Sequence, residues 1–267
     1  MPDPQHDASL QAACSVAHAA RPARPTVSRW LSRHAGAWPR QCELCLAWGR
    51  TPLCGACVNR FAAQRPRCRR CALPVQKFEV SGSDVCGECL RQPPPFDAAV
   101  AALDYGFPWD GLIARFKFRQ QPELARALAQ RLIDALARSV TEPVDVLLPM
   151  PLSAQRLRER GYNQAWELTR KVGDSLGIAT QPDVLQRWLD TPHQVGLAKA
   201  ARETNLRQAM GIAPRLVELI RGRHIALVDD VMTTGASANA ATHVLRLAGA
   251  TTVQLWVLAR TPRPGST

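Results

Sequence analysis

The chain has 267 residues, of which 46% are hydrophobic, and a formal net charge of +12 at pH 7. This length holds one sizeable core plus a small module, and no apolar run reaches transmembrane length, which argues against a membrane-spanning protein. The N-terminus lacks the apolar segment of a secretory signal, so we expect a cytoplasmic protein. A basic balance fits nucleic acid or a polyanionic small substrate, and the scattering of the arginines weakens the nucleic-acid interpretation.

Residues 1–40 are rich in Ala, Arg, Pro and His and contain few large apolar side chains. Helical periodicity is weak in this stretch. The composition therefore predicts a mostly disordered basic extension. A transit-like arm or a nucleic-acid-binding arm would have the same composition, and both alternatives stay open.

Residues 41–92 contain eight of the nine cysteines, arranged as four Cys-x-x-Cys pairs. In a cytosolic chain such pairs indicate metal-binding knuckles rather than disulfides. Structural zinc takes four soft ligands in a tetrahedron, so eight cysteines predict two structural zinc ions. Iron–sulfur ligation is the minor alternative. The predicted ligands are Cys42, Cys45, Cys54, Cys57, Cys68, Cys71, Cys86 and Cys89.

The knuckles can be paired in two ways. In sequential pairing the first two knuckles share one ion and the last two share the other, whereas a cross-braced pairing alternates them. Sequential pairing closes shorter loops at a lower entropic cost, so we expect two zinc ribbons in a row. A segment this short has little apolar core, and the metal is therefore expected to supply most of its folding free energy.

Four arginines, Arg65, Arg67, Arg69 and Arg70, surround the third knuckle. The favoured interpretation is a solvated surface, because no aromatic residues interleave with them to form a base-stacking platform. A contact surface for nucleic acid or a protein partner is the alternative.

Three consecutive prolines at 93–95 form a stiff linker and mark the start of a second domain over residues 96–262. Strands are predicted at 98–105, 144–148, 225–228 and 253–259, and apolar spacing predicts helices between them. Such alternation predicts an α/β fold, a mostly parallel sheet with helices on both faces. Ligands bind such sheets beyond the carboxyl ends of the strands. Residues 183–211 are long, polar and poorly periodic, and predict a mobile loop.

The strand at 144–148 runs into a loop that contains two prolines, and three arginines, of which two are candidate ligands, follow within two helical turns. The prolines restrict the loop to a defined shape, and guanidinium groups match the oxygens of phosphates. The segment therefore predicts a diphosphate site, with an ordinary strand-to-helix loop as the alternative. Its residues are Met150, Pro151, Leu152, Arg156 and Arg160.

The strand at 225–228 leads into Asp229 and Asp230, then into a small hydroxyl-rich turn and a helix. Backbone N–H groups at a helix N-terminus favour a phosphate, and Gly235 permits an unusual backbone angle. The carboxylates suit sugar hydroxyls, so a sugar 5′-phosphate with a free 2′,3′-diol satisfies both halves of the site. Solvated aspartates capping an ordinary helix are the alternative. The predicted phosphate ligands are Thr233, Thr234, Gly235, Ala236 and Ser237.

This last stretch resembles the phosphoribosyl-pyrophosphate (PRPP) motif of type I phosphoribosyltransferases, in which the acids hold the ribose hydroxyls and the loop holds the 5′-phosphate. With the cysteine knuckles and two further blocks, the likeness extends to the ComF family, including GntX-like proteins, over about residues 40–260. It implies a double zinc ribbon followed by a type I phosphoribosyltransferase fold. The further blocks are Arg160-Gly161-Tyr162-Asn163-Gln164 and Gln194-x-x-Leu197-x-x-x-x-Arg202-x-x-Asn205.

Two functions are compatible with this resemblance. The first is a pentosyl transferase, in which a nitrogen nucleophile displaces pyrophosphate from PRPP and magnesium neutralises the pyrophosphate. Arg156, Arg160 and Lys199 would then hold the pyrophosphate, while no residue stands out as a catalytic base. The second is a non-catalytic, nucleotide-responsive adaptor whose ribbons dock single-stranded DNA or DNA-uptake proteins.

Overall fold

The computed structural model describes residues 38–75, 84–139, 142–188 and 209–262. The predicted extension over residues 1–40 lies almost entirely outside them, as do Lys199 and the block from Gln194 to Asn205. Within the described cysteine-rich segment the elements are short. They are β1 (Arg40–Gln41), β2 (Trp48–Gly49), α1 (Gly55–Phe61) and α2 (Gly87–Arg91).

The following elements alternate between strand and helix, as the sequence predicts. The first half contains β3 (Ala98–Asp104), α3 (Trp109–Phe118), α4 (Ala125–Leu136), β4 (Val146–Pro149), α5 (Ala154–Arg160) and α6 (Gln164–Leu176). The second half contains β5 (Ala179–Thr180), β6 (Leu185–Arg187), β7 (Met210–Ile212), β8 (His224–Met232), α7 (Ala236–Leu247) and β9 (Thr252–Arg260). Short 3-10 helices occupy Pro122–Leu124 and Pro214–Leu219.

Five strands form one parallel sheet in the order β3-β9-β8-β4-β5. This confirms the prediction of a mostly parallel sheet. The side chains of β8 alternate between its two faces, because successive residues of a strand point to opposite sides. Ala226 and Val228 pack with helices α3, α4 and α6, whereas Ile225 and Leu227 pack with α7. Helices therefore cover both faces.

The prediction of a mobile loop over residues 183–211 is wrong at both of its ends. Strands β6 and β7 pair there in antiparallel fashion, with Leu185 opposite Ile212 and Arg187 opposite Met210. Leu185 and Met210 are buried in the core. Strands of three residues are too short to show a clear alternation, which is why the sequence pattern missed them.

The cysteine-rich segment packs against the sheet. Residues Pro39–Thr267 form one compact unit, in which Leu53 belongs to the core on one face of the sheet and Ala72 to the core on the other. The main chains also meet, since Ala99 N donates a 2.8 Å hydrogen bond to Arg69 O. The division into a ribbon module at 41–92 and a domain at 96–262 therefore stays a prediction from sequence.

The longest described helix, α6, has 13 residues. Across the four described ranges, no helix combines the length and apolar character that a membrane crossing requires.

Candidate functional site

The proline loop and the acidic pair lie side by side at the carboxyl edge of the sheet. Strands β4 and β8 are parallel neighbours, with Pro149 opposite Val228. One residue further on, Met150 N donates a 2.8 Å hydrogen bond to Val228 O. The two segments that the sequence predicts as diphosphate and ribose sites therefore meet at one place.

Strand β8 continues past its predicted end at Val228 and includes both aspartates. Asp229 lies opposite Val257 of β9, and Val231 lies opposite Ala259. The continued pairing with β9 keeps the acidic pair in extended backbone. Asp230 is buried and Asp229 is half-buried, and the Asp229 carboxylate turns back towards its neighbour, because Asp229 Oδ1 accepts a 2.9 Å hydrogen bond from Asp230 N.

The acidic pair has a cationic partner that the sequence did not indicate. Lys117, from the last turn of α3, places its Nζ 3.0 Å from Asp230 Oδ1, and both side chains are less than a fifth exposed. Burial, followed by repulsion from Asp230, raises the pKa of Asp229 to about 7, although Lys117, the Asp230 amide and Arg160 act in the opposite direction. The site thus places two acids and at least two cations within electrostatic reach of one another.

The predicted phosphate loop leads into α7 with no side-chain cap. Gly235, the N-cap residue, has φ 82°, a left-handed conformation that favours glycine. The first intrahelical bond runs from Asn239 N to Gly235 O, so the amides before it have no acceptor inside the helix. Thr234 Oγ1 approaches one of them, Ala236 N, at 3.4 Å. This helix end can therefore donate to an anion.

Helices α5 and α6 differ from α7 because a side chain caps each of them. Ser153 Oγ accepts from Arg156 N at the start of α5. Asn163 Oδ1 accepts from Ala165 N and Trp166 N at the start of α6, while its Nδ2 donates to Met150 O at 3.1 Å. Asn163 therefore ties α6 to the proline loop, whose Pro151 is buried and whose Leu152 is half-buried.

Gln164 connects the arginine block to α3. Its side chain is 1% exposed, accepts a 2.9 Å hydrogen bond from Arg160 Nη1 and donates to Lys117 O at 3.4 Å. The Tyr162 hydroxyl also donates to Phe116 O. Arg160 and Lys117 are thus held on either side of one buried amide. The family resemblance includes the block from Arg160 to Gln164 as a motif, but the sequence alone indicates no structural role for Asn163 or Gln164.

Arg260, at the end of β9, lies against the phosphate loop. Its side chain is buried, and Nη1 donates to the carbonyls of Met232, Thr233 and Thr261. Its Nε donates a 3.1 Å bond to Cys71 O in the third knuckle. The loop predicted to bind phosphate and the second cysteine cluster therefore both accept hydrogen bonds from the Arg260 guanidinium.

The eight cysteines form two clusters, in the sequential grouping that the sequence predicts. Within each cluster the four Sγ atoms lie within 4.8 Å of one another. Backbone amides point at the sulfurs, with Cys54 N 3.4 Å from Cys42 Sγ and Cys86 N 3.2 Å from Cys68 Sγ. Four thiols in this arrangement fit a tetrahedral zinc ion, which takes thiolate ligands. The first cluster is Cys42, Cys45, Cys54 and Cys57, and the second is Cys68, Cys71, Cys86 and Cys89.

The thiols within each cluster compete for protons. Burial raises the pKa of Cys42, but the amides of Cys45, Cys54 and Leu44 outweigh it, and the pKa falls to about 6. Burial raises the pKa of Cys57 to about 12. In the second cluster the Cys71 thiol donates to Cys68 and lowers its pKa to about 4, while the pKa of Cys71 itself rises. A divalent cation would stabilise all four thiolates at once.

The arginines around the third knuckle border a cleft of about 1040 Å³ at the opposite end of the sheet, beside the first residues of β8 and β9. Arg65 and Arg67 both pair with Asp104, and Arg69 pairs with Asp84. Arg138 also lines the cleft. The ion pairs therefore offset part of the positive charge of this surface.

Two solved structures show a distant likeness to this chain. One is a glutamine PRPP amidotransferase from B. subtilis complexed with ADP and GMP, at 17% identity and a TM-score of 0.37, covering 54% of this chain and 30% of that one. The other is a Trypanosoma cruzi hypoxanthine phosphoribosyltransferase, at 16% identity and a TM-score of 0.32, covering 55% and 80%. Neither is close enough to bear on the ligand of this chain.

No protein-family model matches the chain, but several curated protein sequences are similar to it. The DNA utilization protein YhgH of Shigella flexneri is 33% identical over 230 residues, which cover 84% of this chain and 98% of that protein. Competence protein F of Haemophilus influenzae is 34% identical over 212 residues, covering 78% and 90%. Competence protein ComFC of Bacillus subtilis is 29% identical over about half of each chain. These similarities, together with the two cysteine clusters that precede the parallel sheet, show that the chain belongs to the ComF family.

Proposed function

We propose that this protein binds PRPP, or a related ribose 5-phosphate ligand, at the edge formed by β4 and β8, and transfers the phosphoribosyl group to a nitrogen nucleophile in the cytoplasm. Asp229 and Asp230 accept hydrogen bonds from the ribose diol. The uncapped start of α7, from Thr233 to Ser237, takes the 5′-phosphate. The proline loop with Arg156 and Arg160 takes the pyrophosphate.

One observation carries this proposal: Met150 N bonds to Val228 O. That bond holds the loop predicted to take the diphosphate beside the acids predicted to take the ribose, and PRPP carries its pyrophosphate on the ring carbon next to its diol. A ligand that bridges both segments must present both groups at that spacing. A simple phosphate or a free sugar would use only part of the site.

The reaction needs charge stabilisation more than acid–base chemistry, because pyrophosphate leaves from an oxocarbenium-like centre. Magnesium, when bound with PRPP, neutralises the departing pyrophosphate. The carboxylates of Asp229 and Asp230 supply hard oxygen atoms, which are the ligands that magnesium prefers. Apart from the two cysteine clusters, the described residues form no group of three or more potential metal ligands, so magnesium would be held mainly by oxygens of PRPP.

The test is pyrophosphate release from PRPP by zinc-loaded protein across a panel of nucleobases and simple amines with magnesium. Release that depends on one acceptor, and that Asp230→Asn reduces, is the expected result. If calorimetry detects PRPP binding but no acceptor supports pyrophosphate release, the proposed ligand site stands and the proposed transfer is refuted. Absence of PRPP binding would refute both.

A second candidate is a nucleotide-responsive adaptor for single-stranded DNA, which the names of the relatives and the arginine-bordered cleft favour. Contacts from Arg65, Arg70 and Arg138 to phosphates would release counterions, so binding should fall steeply with salt. A fluorescent single-stranded oligonucleotide titrated at several salt concentrations tests this. Charge reversal at Arg65 and Arg138 should abolish such binding, whereas Arg126→Glu, at an exposed position near the start of α4, should not.

A further inference from the structure

The ion pair between Lys117 and Asp230 has a consequence for ligand binding. The two side chains are 17% and 10% exposed, and their charged atoms are 3.0 Å apart. If Asp230 turns its carboxylate to a ribose hydroxyl, it weakens its bond to Lys117. A shielded ammonium that loses its counter-charge is destabilised, so Lys117 then needs another anion.

The surroundings of Lys117 indicate which anion that is. Its main chain is held by Gln164, the same side chain that orients Arg160, and both Lys117 and Arg160 act on the charge of Asp229. Lys117 is thus connected to Asp230 by its ammonium and, through the Gln164 side chain, to Arg160, a predicted pyrophosphate ligand. In PRPP the pyrophosphate is attached to the carbon next to the one that bears the 2′-hydroxyl, and so begins beside the position of Asp230.

We propose that Lys117 is a pyrophosphate-binding residue that Asp230 holds in reserve until PRPP arrives. On binding, Asp230 accepts the ribose hydroxyl and the Nζ of Lys117 moves to a pyrophosphate oxygen. Lys117 thereby discriminates between PRPP and ribose 5-phosphate, because only PRPP offers it a second anion. This inference rests on the proposed function and adds a residue to its site.

Isothermal titration calorimetry with PRPP and with ribose 5-phosphate, both with magnesium, tests the proposal on the full zinc-loaded chain. Lys117→Met should weaken PRPP binding about tenfold or more, the range for a charged hydrogen bond. Its affinity for ribose 5-phosphate should change by less than about threefold. The control is Lys171→Met on α6, because the described residues show no ion pair for Lys171.

Each outcome of these titrations either supports or overturns the proposed role of Lys117. An equal loss for both ligands would make Lys117 a structural counter-ion of the acids and overturn the proposal, as would an unchanged PRPP affinity. If wild-type protein binds neither ligand, the proposed function fails and this inference fails with it. Lys117→Gln, which keeps a donor for Asp230, replaces the Met variant if thermal unfolding shows that the Met variant does not fold.

Discussion

Arg260 donates a 3.1 Å hydrogen bond from Nε to the carbonyl of Cys71, while its Nη1 donates to the carbonyl of Thr233 in the predicted phosphate loop. One side chain near the end of the chain thus connects a cysteine knuckle to the predicted 5′-phosphate site. Because the acceptors are main-chain carbonyls, removing the guanidinium leaves several of them without this donor. Arg260 therefore positions the loop and need not touch the ligand.

Arg260→Met should lower the free energy of unfolding by at least about 2 kcal/mol, because hydrogen bonds from a charged donor are lost at a buried site. Hydrogen exchange of the amides from Thr233 to Ser237 should accelerate. Chemical denaturation and exchange mass spectrometry measure these effects. Arg223→Met, at an exposed position, is the control. Unchanged exchange in the loop would show that Arg260 does not hold it.

Protein purified under reducing conditions should contain close to two zinc ions per chain, since eight cysteines form two clusters of four. Cys45→Ser should remove about one ion and leave the second cluster loaded, because the clusters share no ligand. Cys14→Ser, at the cysteine outside the four pairs, should leave the content unchanged. Elemental analysis that returned one ion or none for wild type would contradict the two-site interpretation.

Asp230→Asn should weaken PRPP binding by roughly 1–3 kcal/mol, as expected when a charged hydrogen-bond partner is removed. The helix content measured by circular dichroism should not change. Asp174→Asn, at an exposed position of α6, controls for the loss of one carboxylate elsewhere. Equal calorimetric affinity of wild type and Asp230→Asn would refute the assignment of Asp230 to the ribose.

Asp229 should make stability depend on pH. Its pKa in the folded protein is about 7, above the unfolded value of about 3.9. Between these values the native state binds more protons than the unfolded state, so this contribution to the free energy of unfolding is present at low pH and is lost as pH rises through 7. Asp229→Asn should remove this slope.

The measurement is urea unfolding of wild type and Asp229→Asn at pH 5 and pH 8. The stability of the variant relative to wild type should be greater at pH 8, where the half-buried Asp229 of wild type carries its negative charge. A relative stability that is the same at both pH values, or greater at pH 5, would contradict the burial of Asp229 as the cause.

The side chain of Asn163 has two roles, because its oxygen caps α6 and its amide nitrogen donates to Met150 O. Asn163→Ala should lower the free energy of unfolding by about 1–2 kcal/mol, because it removes the cap of α6. Asn163→Asp keeps the capping oxygen but loses the donor to Met150 O, so it should stay close to wild type in stability while weakening PRPP binding. Thermal unfolding and calorimetry on both variants test this. Similar stability losses in the two variants would argue against the division.

The parts of the site that local sequence specifies were predictable. The glycine turn before α7, the two cysteine clusters and the loop after β4 each depend on residues close together in the chain. Lys117 and Arg260 were not predictable, because their roles arise only when α3 and the end of β9 are packed beside β8. The pair β6–β7 was missed because each strand has only three residues and the segment between them is long.

The contact between the cysteine-rich segment and the sheet also bears on how the protein is made. This segment is synthesised before the sheet, and each cluster is complete within a short stretch, 42–57 or 68–89. Loaded ribbons would then present Leu53, Ala72 and the Arg69 carbonyl to strand β3 as it emerges. We therefore expect zinc starvation during translation to lower the yield of folded sheet far more than a chelator added to the finished protein.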